Sequence, residues 1–164
     1  MSKILVFILV AFTCAGCSSV PKAKYSKLIV RDINWKETAT SEISGDQIME
    51  FIASQPMLNN LFHTEFDKYI RGRVIFDHIV YGNEKPDSNT LIMVPKIYTL
   101  KPGGYMPGAS FTGFLLSADG KLLGTYSEER RLGTSGNPEK IKGNIQNLIK
   151  ELAEDAASKL PYYY

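Results

Sequence analysis

The sequence predicts an α+β fold: a two-layer sandwich with a mostly antiparallel sheet of about five strands and two main helices on one face. Three observations predict it. Two stretches, 57–70 and 141–160, place apolar residues at spacings of three and four, the period of a helix with one buried stripe. Several other stretches are β-branched apolar runs bounded by Gly, Pro, Asn and Asp, which read as strands. The order is strand, helix, then a run of strands, then helix, and helices segregated in this way cover one face of a sheet. No period of 20 to 50 residues repeats, so a solenoid is excluded.

The elements follow in order. Residues 27–35 (KLIVRDINW) form a first strand, and the polar, Thr/Ser-rich stretch 36–44 a loop. A short helical turn follows, with Ser44 or Asp46 as its cap and Ile48, Met49, Phe51 and Ile52 on one side. Pro56 interrupts it. The helix over 57–70 then carries Leu58, Leu61, Phe62, Phe66, Tyr69 and Ile70, and Gly72 stands where a C-terminal glycine belongs. Residues 73–81 are the second strand and 90–100 the third, bulged or at an edge near Pro95 because proline cannot donate to a ladder. Residues 109–117 and 121–131 flank Ala118-Asp119-Gly120 as a hairpin. The last helix has Asn137 as N-cap, Pro138 in its first turn, a stripe from Ile141 to Leu160, and Pro161 as its stop.

Composition narrows the class. The 164 residues leave room for one domain, placed over 27–160. Lys plus Arg number 19 against 17 Asp plus Glu, a formal charge of +2 that gives no electrostatic argument for nucleic acid. Two His and two Cys are too few for a zinc finger or a disulfide framework.

Residues 1–16 read as a processed targeting segment. Lys3 supplies the positive start, and the nine apolar residues 4–12 rise about 14 Å as a helix, short of the roughly 30 Å of bilayer hydrocarbon. The run has the length of a signal-peptide core. It ends in Cys14-Ala15-Gly16-Cys17, which resembles a bacterial lipobox. Ala15 and Gly16 fit the positions before cleavage, while Cys14 departs from the usual Leu, Val or Ile. The resemblance implies that Cys17 is acylated and becomes the mature N-terminus, leaving no free thiol for catalysis or metal binding. Two or three acyl chains make a stable anchor without a transmembrane helix. In such lipoproteins Ser at the next position, here Ser18, permits sorting to the outer membrane, so the expected site is its periplasmic face (the cell membrane in an organism without an outer membrane). Residues 17–26 are then a lipidated tether, reaching at most about 30 Å.

No catalytic constellation emerges. His63 and Asp67 are four apart on one helix face and read as a surface pair, with no further metal ligand of suitable type. Asp77-His78 and Glu128-Glu129 are adjacent strand residues whose side chains diverge. The glycines of 103–113 lack the Lys-Ser/Thr ending of a phosphate loop, and 133–136 read as an ordinary connection. No metal site, cofactor or catalytic residue is assigned. What remains are surfaces: Tyr105 and Met106 in the loop Pro102-Gly103-Gly104-Tyr105-Met106-Pro107-Gly108, and the tail of residues 161–164 with Tyr162, Tyr163 and Tyr164, tyrosine being suited to wet interfaces.

The element order resembles, in topology only, the small α+β domains of envelope proteins such as the lipopolysaccharide-assembly lipoprotein that plugs its barrel partner and the N-terminal domain of the Tol translocation protein. The expectation is a non-enzymatic structural or assembly accessory of an envelope complex, with an envelope protein as partner. The alternative is a membrane-anchored module for a lipid, glycan or other apolar ligand held between helices and sheet. An enzyme would need His63, or His78 with Asp32 or Glu128, to converge in a cleft.

Overall fold

The computed structural model describes residues 24–73, 76–133 and 139–160. Residues 1–23 with Cys17, Asn137 and Pro138, and Tyr162, Tyr163 and Tyr164 lie outside them. The described chain runs β1 (Lys27–Val30), a 3-10 turn (Trp35–Glu37), β2 (Ala39–Thr40), α1 (Gly45–Arg71), β3 (His78–Tyr81), β4 (Thr90–Lys101), β5 (Gly108–Ser117), β6 (Leu122–Arg131) and α2 (Ile141–Lys159). Strand order is β3-β1-β4-β5-β6, with β2 also on β4. The long pairings β4–β5 and β5–β6 are antiparallel, and the short ones of β1 with β3 and β4, and of β2 with β4, are parallel. The α+β sandwich is therefore as expected, with one more strand.

The core lies between the sheet and the two helices. Phe51, Leu58, Phe62, Phe66 and Ile70 of α1 and Leu148, Ile149, Leu152 and Ala156 of α2 meet Leu91, Met93, Ile97, Phe111 and Leu115 of the sheet. Each large apolar side chain fully buried there contributes about 1.5–3 kcal/mol.

Four expectations are corrected. First, α1 is a single 27-residue helix and does not break at Pro56. Pro56 is solvent-facing, so the carbonyl of Ile52, which loses its helical donor, stays within reach of water while the buried stripe continues on the other side. Its start is as expected in the stronger form: Ser44 caps and Gln47 reciprocates, closing a capping box. Gly72 does follow the helix, but in right-handed conformation, so its freedom at positive φ is not used. Second, of Ile48, Met49, Phe51 and Ile52 only Phe51 is buried, and the other three are exposed. Third, the first strand stops at Val30. Beyond it, Asn59 of α1 accepts from the Ile33 amide at 3.2 Å and the Trp35 indole at 3.0 Å, and residues 39–40 return as β2. Fourth, α2 begins at Ile141 with Lys140 as a cap that makes no side-chain bond, so the helix starts after Pro138.

Pro95 explains part of this. The Arg31 amide donates to the Met93 carbonyl at 2.9 Å, and parallel register would then have residue 95 donate to the Arg31 carbonyl. Proline has no N–H to give, and β1 pairing ends there. The strand is flanked over 90–93 and 99–100 but open between, and its register slips at Tyr98. Pro95 thus marks a local edge inside a central strand.

The directions of these elements give the molecule two ends. β1, β3 and β4 all start at one end, the base, where the hairpin turn 117–122 also lies. Arg73, just after α1, ties the two helix C-termini together, donating to the Ser158 carbonyl at 2.8 Å, and α2 ends over β6 with Asp155 on Arg130 and Lys159 on Glu128. The connection 102–107 and the N-termini of both helices lie at the opposite end, the tip, where Lys142 and Glu50 face each other at 3.7 Å. The 12 residues of β4 separate base from tip by about 36 Å.

Candidate interaction surface

The connection from β4 to β5 is fixed at three points. Asn144, 3% exposed in the first turns of α2, donates through Nδ2 to the Pro102 carbonyl at 2.8 Å. Gly103 is pressed against the Glu42 backbone and Ile141, leaving no space for a Cβ, and Gly104 takes φ +73, a conformation that favours glycine. On the return, the Leu132 amide donates to the Pro107 carbonyl at 2.8 Å. Between these ties Tyr105 is 89% and Met106 56% exposed. The two residues singled out in the sequence are therefore presented outward on a braced loop.

They have apolar company. Ile48, Met49, Ile52 and Met57 of α1 are also exposed in the half of that helix nearest the tip. A groove of about 410 Å3 runs between this half and the start of α2, with Phe51, Leu58 and Ile145 as its buried lining and Glu50, Lys140 and Lys142 among its charged residues. A smaller one of about 310 Å3 lies under Met106 between Lys101, Glu129 and Arg131. Sequence reasoning missed the α1 contribution because it read Ile48, Met49, Phe51 and Ile52 as one side of a short helical turn. The available signal was angular: Met49 lies about 160° round the helix from Phe51 at 100° per residue.

The titratable groups are spread along the fold. His63 is not a surface partner of Asp67. Its ring is half-buried, with Nε2 3.4 Å from the Arg31 carbonyl and 3.6 Å from Asp32, and its centroid 4.8 Å from that of Tyr81. A carbonyl only accepts, so Nε2 carries the hydrogen. Burial holds His63 below the usual imidazole range, against the opposing pull of Arg31 and Asp32. Asp67 instead accepts from the Tyr81 hydroxyl at 2.6 Å and from Arg71. Burial works to raise Asp67, but these bonds outweigh it and hold it low, while burial and that carboxylate push the Tyr81 phenol far up. Near the β6 edge, Glu128 pairs with Lys159 and Arg130 with Asp155, both partners coming from α2. His78 and Glu128 do not join His63. Among the described residues no three His, Cys, Asp or Glu side chains gather as a metal site.

No protein-family model matches this chain. No curated protein matches its sequence either. Among solved structures it is similar to the PelC dodecamer of Paraburkholderia phytofirmans, at 12% identity and TM-score 0.49 over 80% of this chain and 89% of that one. A Xanthomonas campestris protein of the DUF330 family gives 9% and 0.45, over 87% and 89%. A minor lipoprotein of Acinetobacter baumannii gives 12% and 0.41, over 83% and 92%. At such scores the likeness carries no argument about role. Among the described residues no helix is long and apolar enough to cross a membrane.

Proposed function

We propose that this chain is an outer-membrane lipoprotein, anchored through Cys17 on the periplasmic face, that serves as a non-enzymatic assembly accessory of an envelope complex. The observation that carries the reading is the braced apolar tip, Tyr105 and Met106, set at the end of the fold opposite the one where the chain enters at Lys24. A tether of about 30 Å cannot run back the roughly 36 Å of β4 to bring that tip head-on to the bilayer. Exposed aromatic and Met side chains facing away from the anchor fit an apolar patch on a protein. The test is cross-linking in intact envelopes from a photoreactive residue at position 105. One stoichiometric partner, lost with Tyr105→Ser and Met106→Ser together, supports the reading. An absence of adducts removes it.

The groove favours a second reading, a binding module for a lipid, glycan or other apolar ligand. Several hundred Å3 with an apolar lining and charged residues is within the range of small-ligand sites. Native mass spectrometry after gentle detergent extraction decides it: a bound mass displaced by Leu58→Trp would favour the ligand module over the protein partner.

A further inference from the structure

The base carries an apolar feature that neither the core nor the tip explains. At the hairpin between β5 and β6, the Gly120 amide donates to Ser117 and the Ser117 amide to Lys121, closing a tight turn with Gly120 at φ +83. Immediately after it, Leu122 is 53% and Leu123 42% exposed. Register explains why both point out: Leu115 pairs with Gly124 and Leu116 with Leu122, so Leu123 is the extra residue of a bulge. Two adjacent leucines thus stand free at the end of an edge strand, where exposed apolar side chains are a liability unless something covers them.

Chain direction says what lies nearby. The described chain enters at Lys24, just before β1, at the base, so the 23 residues that precede it join the domain at that end. We infer that the base is a bilayer-facing surface, with the Leu122–Leu123 hairpin dipping into the lipid interface beside the anchor. This rests on the lipid-anchor reading and adds to it a second, reversible contact that fixes which way the domain stands. Lys121 and Asp119 flank the turn with opposite signs, and Ser117 holds Asp119. The contact is therefore apolar and does not depend on anionic lipid.

The experiment uses the processed, acylated chain in zwitterionic phosphatidylcholine vesicles, carrying an environment-sensitive label on Leu123→Cys or, for comparison, Tyr105→Cys. Acylated Cys17 does not take the label. The expected result is co-flotation of both, with a blue shift and protection from an aqueous quencher at position 123 only. Adding Leu122→Ser to the position-123 chain abolishes the shift while flotation persists. Flotation with position 123 fully aqueous overturns the inference and leaves the anchor standing, and equal protection at 123 and 105 overturns it in favour of a domain lying flat. A wild-type chain that does not float with vesicles overturns the anchor and the inference with it.

Discussion

The bracing of the 102–107 loop makes a quantitative claim that Asn144→Ala tests. The side chain it removes is almost fully buried and donates to the Pro102 carbonyl, which is itself buried. Leaving a buried acceptor without that donor costs about 1–3 kcal/mol. Against this, alanine is better than asparagine in a helix by about 0.5–0.7 kcal/mol. The net loss is roughly 0.5–2.5 kcal/mol, or on the order of 2–10 °C in Tm for a domain of this size. Urea unfolding read by Trp35 fluorescence measures it, since that indole is buried edge-on against Phe51 and bonded to Asn59. Tyr105→Ser and Met106→Ser are the controls: both side chains are exposed, so each shifts stability by no more than about 0.5 kcal/mol. Asn144→Ala should also weaken cross-linking from position 105, because an unbraced loop pays to order itself on binding. An Asn144→Ala chain as stable as wild type would refute the claim that this hydrogen bond holds the loop.

The other predictions concern positions where the fold resolves a conflict in the sequence. Pro56→Ala restores a helical donor in the middle of α1 and is expected to stabilise by about 1–3 kcal/mol, read as a higher urea midpoint. Gly113→Ala would drive a Cβ into the Tyr126 ring across the β5–β6 ladder and is expected to cost about 1–3 kcal/mol. His63 is held below the usual imidazole value of 6.5, so the unfolded chain takes up its proton first as pH falls. Stability contributed by neutral His63 is complete above about pH 6.5 and is lost as pH falls towards its folded value. His63→Gln, which keeps a donor for the Arg31 carbonyl, should flatten the stability curve as pH falls below about 6.5, and an unchanged slope would refute the assignment.

Much of this architecture was legible because local signals agreed with the packing. The stripe of Leu58, Phe62, Phe66 and Ile70 and the Asp119-Gly120 turn each had a single reading, and of the two cap candidates Ser44 and Asp46 the structure takes Ser44. Failures came where a local rule met a tertiary fact. Pro56 reads as a helix stop, yet the buried stripe on the opposite side of α1 outweighs one lost hydrogen bond. Ala39–Thr40 is too short and polar to read as a strand, and it exists because β4 leaves an open edge beyond Pro95. Asn59 and Asn144 gave no signal at all, since what they bond lies far away in sequence. Of the candidate surface, Tyr105 and Met106 were legible from their loop. The α1 residues beside them were passed over, because Ile48, Met49 and Ile52 were read on one side with Phe51, although Met49 lies on the far side of the helix from it.

The same residues bear on the proposed function, which works by contact. The core closes without Tyr105, Met106, Leu122 or Leu123: Phe62, Phe66, Phe111 and Leu115 are all but inaccessible, and the helix stripes are complete. Leaving four large apolar side chains in water gains nothing for folding, and on an edge strand it invites aggregation. Three of the polar side chains weighed in the sequence are bonded within the fold. Asp67 holds Tyr81 and Arg71, Glu128 holds Lys159, and His63 turns to the carbonyl that Pro95 leaves without its ladder donor. On the proposed function, the apolar side chains at two opposite ends have separate uses, Leu122 and Leu123 toward the bilayer at the base and Tyr105 and Met106 toward a protein at the tip, and the direction of the chain makes the two compatible.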